Sequence, residues 1–249
     1  MNRTLVIGDV HGQYGELLRV LELSKYRASD KLIFLGDYIN RGARSREVMD
    51  LLIDLKNNPD NILLRGNHEE MILKLVEGEY EYMYMWLEYG GGRECLRSYG
   101  VDPDSFRFDD ESYIFSCNGR TIRLDNKDST GEIMRSVFPE EHVSLMKDML
   151  SAYETDHYFF CHAGIEKGIA LQDQRLYAGY FLLWGDEDFL DDDSDYGKMI
   201  VFGHYHMKRP FVGKNKVMIA LQNAVAIIDL NSKVIYDSNG NAIKIENIP

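Results

Sequence analysis

Cysteine is scarce in this chain of 249 residues. The three that occur, Cys95, Cys117 and Cys161, are an odd number and show no Cys-x-x-Cys spacing. This pattern argues against a disulfide framework of the kind that stabilises small secreted proteins. It favours a reducing compartment, so we expect a cytoplasmic protein.

Long apolar runs are also missing. No stretch approaches the roughly 20 consecutive apolar residues that a membrane-spanning helix needs. The first residues, Met1-Asn2-Arg3-Thr4, lead straight into a short strand-like stretch and show no signal-peptide pattern of charged, apolar and small regions. The sequence therefore predicts a protein without a membrane partner.

Positive charge is in short supply. The chain has 28 Lys and Arg against 41 Asp and Glu, which gives a net charge of −13. Such a surface repels the phosphate backbone of DNA and RNA, so we expect no nucleic-acid partner. The hydrophobic content of 45% is high enough to build a core, which excludes a wholly disordered chain.

One pattern occurs three times in the first seventy residues. An apolar run ends in a Gly-Asp or Gly-Asn turn, at Gly8-Asp9, Gly36-Asp37 and Gly66-Asn67. Successive turns are about 30 residues apart, the length of a strand–helix–strand unit. Because parallel strands end at the same edge of a sheet, we expect Asp9, Asp37 and Asn67 to lie close together there.

Further strand-like segments occur later in the chain, and two of them end in turns that carry histidine, at His162 and His204. No linker, repeat array or low-complexity tail divides the sequence. We therefore predict one domain over residues 1–249, an α/β sandwich with a helical insert at about 75–115. His142 and His157 lack metal-ligand spacing and are expected to face solvent or to cap helices.

The residues at these turns form a set of oxygen and nitrogen donors. Its members are Asp9, His11, Asp37, Asn67, His68, His162 and His204. Carboxylate, imidazole and amide oxygen suit divalent Mn, Fe and Zn, and an Asp can bridge two ions with its two oxygens. Two ions about 3.5–4 Å apart can hold a phosphate and lower the pKa of a water between them. The set therefore predicts a two-metal phosphoesterase.

Five short motifs carry a family resemblance. They are Gly8-Asp9-Val10-His11-Gly12, Gly36-Asp37-Tyr38-Ile39-Asn40-Arg41-Gly42, Gly66-Asn67-His68-Glu69, His162-Ala163-Gly164 and Gly203-His204. In that order they resemble the GDxHG, GDxxDRG, GNHE, HxG and GH motifs of the phosphoprotein phosphatase family, within the metallophosphoesterase superfamily. The chain looks most like the bacterial-type serine/threonine protein phosphatases. The likeness extends to about residue 204 and implies two mixed sheets flanked by helices.

The resemblance also implies a role for each matching residue. Asp9 and His11 would hold one ion, Asp37 would bridge, and Asn67, His162 and His204 would hold the other. Mn²⁺ is the first choice for both ions, with Fe or Zn as alternatives. Arg41 would bind phosphate oxygens and His68 would act as general acid. Arg175 and His206 are further candidates for contacts with substrate, although the spacing of Arg175 does not match the family pattern well. Related metallophosphoesterases use both histidines of a Gly-His-x-His block as ligands, usually when the first motif lacks its own His. With His11 present, we expect His206 to lie next to the ligands or to contact substrate.

Asn40 departs from the family pattern, which has Asp at this position in the GDxxDRG motif. In the family the carboxylate pairs with the general-acid histidine, so Asn40 is placed with His68 and Arg41 in the catalytic group. An amide adds no negative charge, and we expect slower turnover of esters with poor leaving groups. The hypothesis can be tested with Asn40→Asp.

The implied function is hydrolysis of phosphomonoesters by attack of a metal-bound hydroxide, with a phosphorylated protein or a small phosphate ester as substrate. A serine/threonine protein phosphatase is the first interpretation, because Glu69 in the GNHE motif is closer to protein phosphatases than to relatives with Asp there. A symmetrical diadenosine-tetraphosphate hydrolase is the alternative, because those enzymes also depart from Asp at the position of Asn40. A low-activity regulatory relative is a further one.

Overall fold

The computed structural model describes residues 3–109, 111–246 and 248–249. Its strands, in chain order, are β1 Thr4–Ile7, β2 Lys31–Phe34, β3 Ile62–Leu63, β4 Phe106–Asp109, β5 Ser112–Cys117, β6 Arg120–Leu124, β7 Ala152–Glu154, β8 Tyr158–Cys161, β9 Met199–Phe202, β10 Phe211–Val212, β11 Lys216–Met218, β12 Ala226–Asp229, β13 Val234–Asp237 and β14 Ala242–Lys244.

The α-helices are α1 Tyr14–Leu23, α2 Ser45–Lys56, α3 Asn67–Glu77, α4 Tyr82–Tyr84, α5 Gly92–Ser98, α6 Lys127–Val137, α7 Glu140–Asp148, α8 Gln174–Tyr177 and α9 Gly179–Trp184. A π-helical turn spans Met85–Tyr89, and short 3₁₀ turns span Pro103–Ser105, Leu171–Asp173 and Glu187–Phe189. None of the helices in the described parts of the chain combines the length and apolar composition that crossing a bilayer would require.

Two mixed sheets form the body of the fold. The first has six strands in the order β14-β13-β12-β1-β2-β3, with β1, β2 and β3 parallel and β12 antiparallel to β1. The second has five strands in the order β10-β11-β9-β8-β7, and its β8, β9 and β11 are parallel. The predicted α/β sandwich of mixed sheets flanked by helices is confirmed.

Alternation along the strands explains how the layers pack. In β1, Val6 points into the core between the two sheets, where it joins Phe160 and Val201 of the second sheet. Its neighbours Leu5 and Ile7 face the other way, into the core under the helices. Successive side chains of a strand point to opposite faces, so a strand covered on both faces has an unbroken apolar sequence. This accounts for the apolar runs that precede each turn.

The insert differs from its prediction. Residues 75–115 were expected to be helical, but the α-helix and π-helix end at Ser98, and β4 and the first part of β5 lie within the range predicted to be helical. Together with β6 they form a separate three-stranded antiparallel sheet. The missed signal was Asn118-Gly119, which has positive φ at both residues and joins β5 to β6. That residues 1–249 form one domain stays a prediction.

Candidate metal centre

The polar residues of the motifs meet at one edge of the sandwich. Asp9 and Asp37 follow β1 and β2, and Asn67 begins α3 just after β3. His162 and His204 follow β8 and β9 of the second sheet. Both sheets thus present the carboxyl ends of their parallel strands to the same place, as expected for ligand sites in α/β folds.

The backbone at this edge adopts a conformation that side chains usually avoid. The φ angles are 45° at His11, 55° at Asp37, 70° at Asn40, 63° at Arg41 and 66° at His204. Each such residue costs about 1–3 kcal/mol and persists where the surroundings hold it. The concentration of this strain in the motifs is typical of a functional site.

Two glycines make room for the carboxylates. A Cβ at Gly66 would collide with the carboxylate of Asp37, and one at Gly203 would collide with that of Asp9. The glycines are therefore needed because the backbone of one motif touches the acid of another.

Glu69 holds two of the motif loops together. Its buried carboxylate accepts hydrogen bonds from the backbone N–H groups of Asp37 (2.9 Å), Tyr38 (2.8 Å), Ile39 (3.3 Å) and Gly66 (3.0 Å). The first three belong to the loop after β2 and the fourth to the turn that carries Asn67. Glu69 therefore fixes the position of Asp37 relative to Asn67 without pointing at the metal donors.

Asp9, His11 and Asp37 form the first half of the donor set. The Nε2 atom of His11 lies 3.8 Å from Oδ2 of Asp9 and 3.5 Å from Oδ2 of Asp37. Its Nδ1–H donates to the carbonyl of Ile39 at 3.1 Å, which leaves the lone pair on Nε2. Nε2 is buried and has no hydrogen-bond partner among the described residues. An unpaired buried nitrogen facing two carboxylates fits a metal ligand.

Asp37 also belongs to the second half. Oδ1 of Asp37 lies 3.4 Å from Nε2 of His162, which is 3.0 Å from Oδ1 of Asn67. Nδ1 of His204 lies 3.2 Å from the same amide oxygen and 3.3 Å from His162. The Nδ1–H of His162 donates to the carbonyl of Leu35 at 3.0 Å, so Nε2 is the ring nitrogen that faces Asp37 and Asn67. Asp37, His162 and His204 form one group that could hold an ion, and His11, Asp37 and His68 form another.

The electrostatics of the centre follow from burial. Burial raises the pKa of Asp9 and lowers the pKa of His204 to about 3. Burial also opposes the charge on Asp37, but His162, His68 and His11 outweigh it and hold its pKa well below the usual range. Burial alone would lower the pKa of His162, but the nearby carboxylates, Asp37 first, raise it to about 9. Mn, Fe or Zn could supply the positive charge that this proton supplies among the buried carboxylates. The residues present therefore fit two divalent ions.

His206 lies beside the donor set. It was expected to lie next to the ligands or to contact substrate, and its Nε2 is 3.4 Å from Oδ2 of Asp9 while its ring stacks on His11 with centroids 4.9 Å apart. Asp9, His11 and His206 form a group that could hold an ion. The guanidinium of Arg41 also donates to the His206 ring, at 3.0 Å from Nε2. His206 therefore connects the first half of the centre with Arg41.

A cleft of about 410 Å³ opens beside the centre. Arg41 is exposed on its wall, and Gln13, His206, Gln222 and Asn223 also line it. The Nε2 of Gln222 donates to the carbonyl of His206. The cleft gives a substrate direct access to Arg41 and to the donors of the first half, and its amides were not singled out from sequence.

His68 lies behind the centre, in contact with Asn40. Nε2 of His68 is 3.8 Å from Oδ2 of Asp37, and its Nδ1 is 2.7 Å from Nδ2 of Asn40. The indole Nε1–H of Trp86 donates to Oδ1 of Asn40 at 2.9 Å. Asn40 is fully buried and touches His68 rather than the cleft, so it is a positioning residue. No local pattern in the sequence indicates the contacts of Trp86 and Glu69, because they depend on the tertiary fold.

Arg175 and His142 lie elsewhere. Arg175 lies on α8, where its guanidinium donates to the carbonyl of Ala152 at 2.8 Å, and its described contacts include no member of the donor set. A role for Arg175 in binding substrate stays a prediction.

His142 was expected at the surface, but it is fully buried between Tyr99 (2.8 Å) and Asp50 (2.9 Å). That expectation was wrong, whereas His157 is exposed as predicted.

Solved structures share this fold. A protein provisionally named a diadenosine tetraphosphatase is 15% identical, with a TM-score of 0.61, and the alignment covers 98% of this chain and 93% of that one. A cold-active protein-tyrosine phosphatase of a psychrophilic Shewanella is 15% identical, with a TM-score of 0.55 and coverages of 99% and 81%. A protein serine/threonine phosphatase from Saccharomyces cerevisiae is 17% identical, with a TM-score of 0.52 and coverages of 100% and 81%. At these identities the likeness is one of fold.

Fold and donor set together define a metal-dependent phosphoesterase of α/β sandwich architecture. The model of the calcineurin-like phosphoesterase family matches residues 2–208, most of the chain. The chain belongs to that family, whose members use divalent metal ions. The membership supports hydrolysis of phosphate esters and leaves the substrate open.

Proposed function

We propose that this chain is a two-metal phosphomonoesterase, with phosphorylated proteins as its first candidate substrates. The observation that carries the proposal is the position of Asp37. Its two oxygens face separate sets of histidine nitrogens, His11 on one side and His162 on the other, next to a cleft with Arg41 on its wall. That arrangement supports a phosphate held between two ions and one guanidinium.

Each residue has a distinct task in this proposal. The two ions, when bound, would activate a water and neutralise charge on the phosphoryl oxygens. One ion would be held by Asp9, His11 and His206. The other would be held by Asn67, His162 and His204, and Asp37 would bind both ions. Arg41 binds the phosphoryl oxygens from the cleft with its planar fork of donors. His68, whose Nε2 lies 3.8 Å from Oδ2 of Asp37, would act on the leaving oxygen. Mn²⁺ is the first candidate for both sites.

Phosphoserine or phosphothreonine in proteins is the first candidate substrate, since Glu69 completes the Gly-Asn-His-Glu motif that resembles protein phosphatases. In the structure Glu69 accepts four backbone hydrogen bonds, which hold the loop after β2 against the turn that carries Asn67. The three free cysteines are consistent with a cytoplasmic site of action. A net charge of −13 supports proteins or small esters over nucleic acids as partners.

Diadenosine tetraphosphate is the second candidate, and Asn40 is the observation that favours it. The leaving group in that reaction is a phosphate, whose second pKa is about 6, so it departs without a proton from the enzyme. Asn40 beside His68 should therefore slow the hydrolysis of such a substrate less than it slows the hydrolysis of an alkyl ester.

The test is steady-state hydrolysis by metal-stripped protein with Mn²⁺ restored, using a phosphothreonine peptide and diadenosine tetraphosphate side by side. Faster peptide turnover that chelator abolishes supports the protein-phosphatase proposal. Faster dinucleotide turnover moves the assignment to the second candidate. If neither substrate is hydrolysed while the ions bind, the phosphoesterase proposal fails and a regulatory relative is the better interpretation.

A further inference from the structure

We propose that Trp86 and Asn40 hold His68 as a neutral hydrogen-bond donor through Nε2, so that the site favours leaving groups that can depart as anions. Among phosphorylated side chains this places an aryl ester, phosphotyrosine, ahead of an alkyl ester such as phosphothreonine, and so reverses the order that the motif resemblance alone gives. The inference rests on the proposed function and specifies the substrate class of the same site.

The first step is the orientation of the Asn40 amide. The indole N–H of Trp86 can donate a hydrogen bond but cannot accept one. It lies 2.9 Å from one end of the amide, so that end must be the oxygen. The NH₂ end is thereby turned towards Nδ1 of His68, 2.7 Å away. The indole N–H therefore fixes which end of the Asn40 amide is the oxygen.

The second step is the proton on His68. A ring nitrogen that faces an NH₂ group at 2.7 Å must supply the lone pair, since two donors there would repel. Nδ1 is therefore unprotonated, and the proton of the neutral ring is on Nε2. That nitrogen faces the centre, 3.8 Å from Oδ2 of Asp37. A carboxylate at position 40 would do the opposite, because it would accept Nδ1–H and stabilise the imidazolium.

The packing prevents the amide from turning over. Trp86 and Asn40 are fully buried and His68 nearly so. The backbone N–H of Asn40 donates to Oγ of Ser45 at 3.0 Å, which fixes the residue in its left-handed conformation. A Cβ at Gly92 would collide with the Trp86 ring, so the indole is closely covered on that side. The chain from Trp86 to His68 is thus rigid and closed to water.

The third step is the consequence for the leaving group. When water attacks phosphorus and the P–O bond to the leaving group breaks, the bonding electrons stay on the leaving oxygen. A neutral imidazole that gave its Nε2 proton away would become an anion, so His68 stabilises the leaving oxygen by hydrogen bonding instead of protonating it. A phenolate leaves readily without being protonated, since the pKa of a tyrosine hydroxyl is about 10. The alkoxide of serine or threonine is a far stronger base and leaves poorly.

The tautomer can be observed directly. Long-range ¹H–¹⁵N spectra of the full chain, labelled with ¹⁵N-histidine and loaded with diamagnetic Zn²⁺, report which ring nitrogen carries the proton. We expect His68, assigned through His68→Gln, to show an unprotonated Nδ1 and a protonated Nε2. Trp86→Phe should give a mixture of tautomers, and the matched control Trp184→Phe should not. A protonated Nδ1 in the unaltered protein, or an unchanged tautomer in Trp86→Phe, would overturn the inference.

Two peptides of one sequence, differing in phosphotyrosine or phosphothreonine, test the preference. We expect kcat/KM to favour phosphotyrosine by roughly 100-fold, the scale of a missing general acid. Asn40→Asp should narrow that ratio by roughly tenfold or more, and adding Trp86→Phe to Asn40→Asp should change it little. An equal or reversed preference in the unaltered protein overturns the inference but leaves the phosphatase proposal standing. Loss of turnover on both peptides and on diadenosine tetraphosphate, with the tautomer as expected, overturns the proposed function and the substrate preference with it.

Discussion

At the scale of single residues, the centre depends on contacts between side chains and the backbone of other motifs. Glu69 illustrates this: one carboxylate accepts from four N–H groups in two loops. Hydrogen bonds to charged groups contribute about 1.5–3 kcal/mol each, and a buried donor left without a partner costs about 1–3 kcal/mol. Glu69 is therefore the residue whose loss should loosen the centre most without removing a ligand.

Glu69→Gln tests this. The new NH₂ group would face backbone N–H donors, so we expect the free energy of unfolding to fall by about 2–3 kcal/mol and the affinity for Mn²⁺ to fall with it. Urea unfolding and calorimetric metal titration measure the two effects. Glu77→Gln on the same helix is the control, and its exposed side chain should matter by less than about 0.5 kcal/mol. Equal stability of the two variants would contradict the proposal that Glu69 holds the two motif loops together.

The three thiols should differ in reactivity. Burial raises the pKa of Cys95 and of Cys161 to about 12, whereas Cys117 is exposed at the end of β5. The thiolate is the reactive form, so iodoacetamide should modify Cys117 alone in the folded protein. Mass spectrometry after brief alkylation, with and without denaturant, measures this. Labelling of Cys161 at the same rate as Cys117 would show that the second sheet opens near His162.

The donors were predictable at this scale because each lies in a short motif where a buried strand ends. The structure brings Asp9, Asp37, Asn67, His162 and His204 together, and their roles as ligands stay a prediction. The contact of Trp86 with Asn40, by contrast, joins residues far apart in sequence, and no local pattern indicates it.

At the scale of elements, β1, β2, β3, β8 and β9 were predictable, because in each an apolar run ends in a turn that carries a candidate metal ligand. The insert was not, because Phe106–Asp109 and Ser112–Cys117 are half-exposed and their alternation is weak. The sequence of the turn between β5 and β6 indicates a hairpin. Asn118 and Gly119 have φ angles of 50° and 77°, the geometry of a two-residue hairpin.

Gly119→Ala should therefore destabilise the insert. Alanine adopts a positive φ at a cost of about 1 kcal/mol, and no neighbour within 4 Å adds a clash. Thermal unfolding or hydrogen exchange of β5 and β6 would measure the loss. Gly15→Ala is the matched control, since Gly15 lies exposed in α1 with open space around it, and alanine there should stabilise by about 0.5–1 kcal/mol. A stabilising effect at both positions would contradict the hairpin geometry.

At the scale of the whole molecule, the donor set joins the two sheets. Asp9, Asp37 and Asn67 follow strands of the first sheet, and His162 and His204 follow strands of the second. An ion bound by both groups would connect the layers across their shared edge. Metal binding should then stabilise the fold as a unit and not one loop alone.

Added Mn²⁺ should raise the free energy of unfolding by about 2.7 kcal/mol at a free concentration one hundred times its Kd. His162→Ala removes a donor of the second sheet and should abolish most of that gain. His157→Ala, an exposed histidine at the far end of β8, should leave it intact. Calorimetric unfolding with and without Mn²⁺ decides the matter, and full stabilisation of His162→Ala would place the ions elsewhere.

The place of β1 in the first sheet has a consequence for synthesis on the ribosome. β1 pairs with β2 on one side and with β12 on the other, where Leu5 lies opposite Asp229. The first three parallel strands can associate early in translation, but one edge of β1 stays unpaired until the last strands emerge. An open apolar edge of this kind invites wrong partners. The nascent chain is therefore open to wrong pairing at this edge until β12 has been made, which in chain order comes after the last donor of the centre, His206.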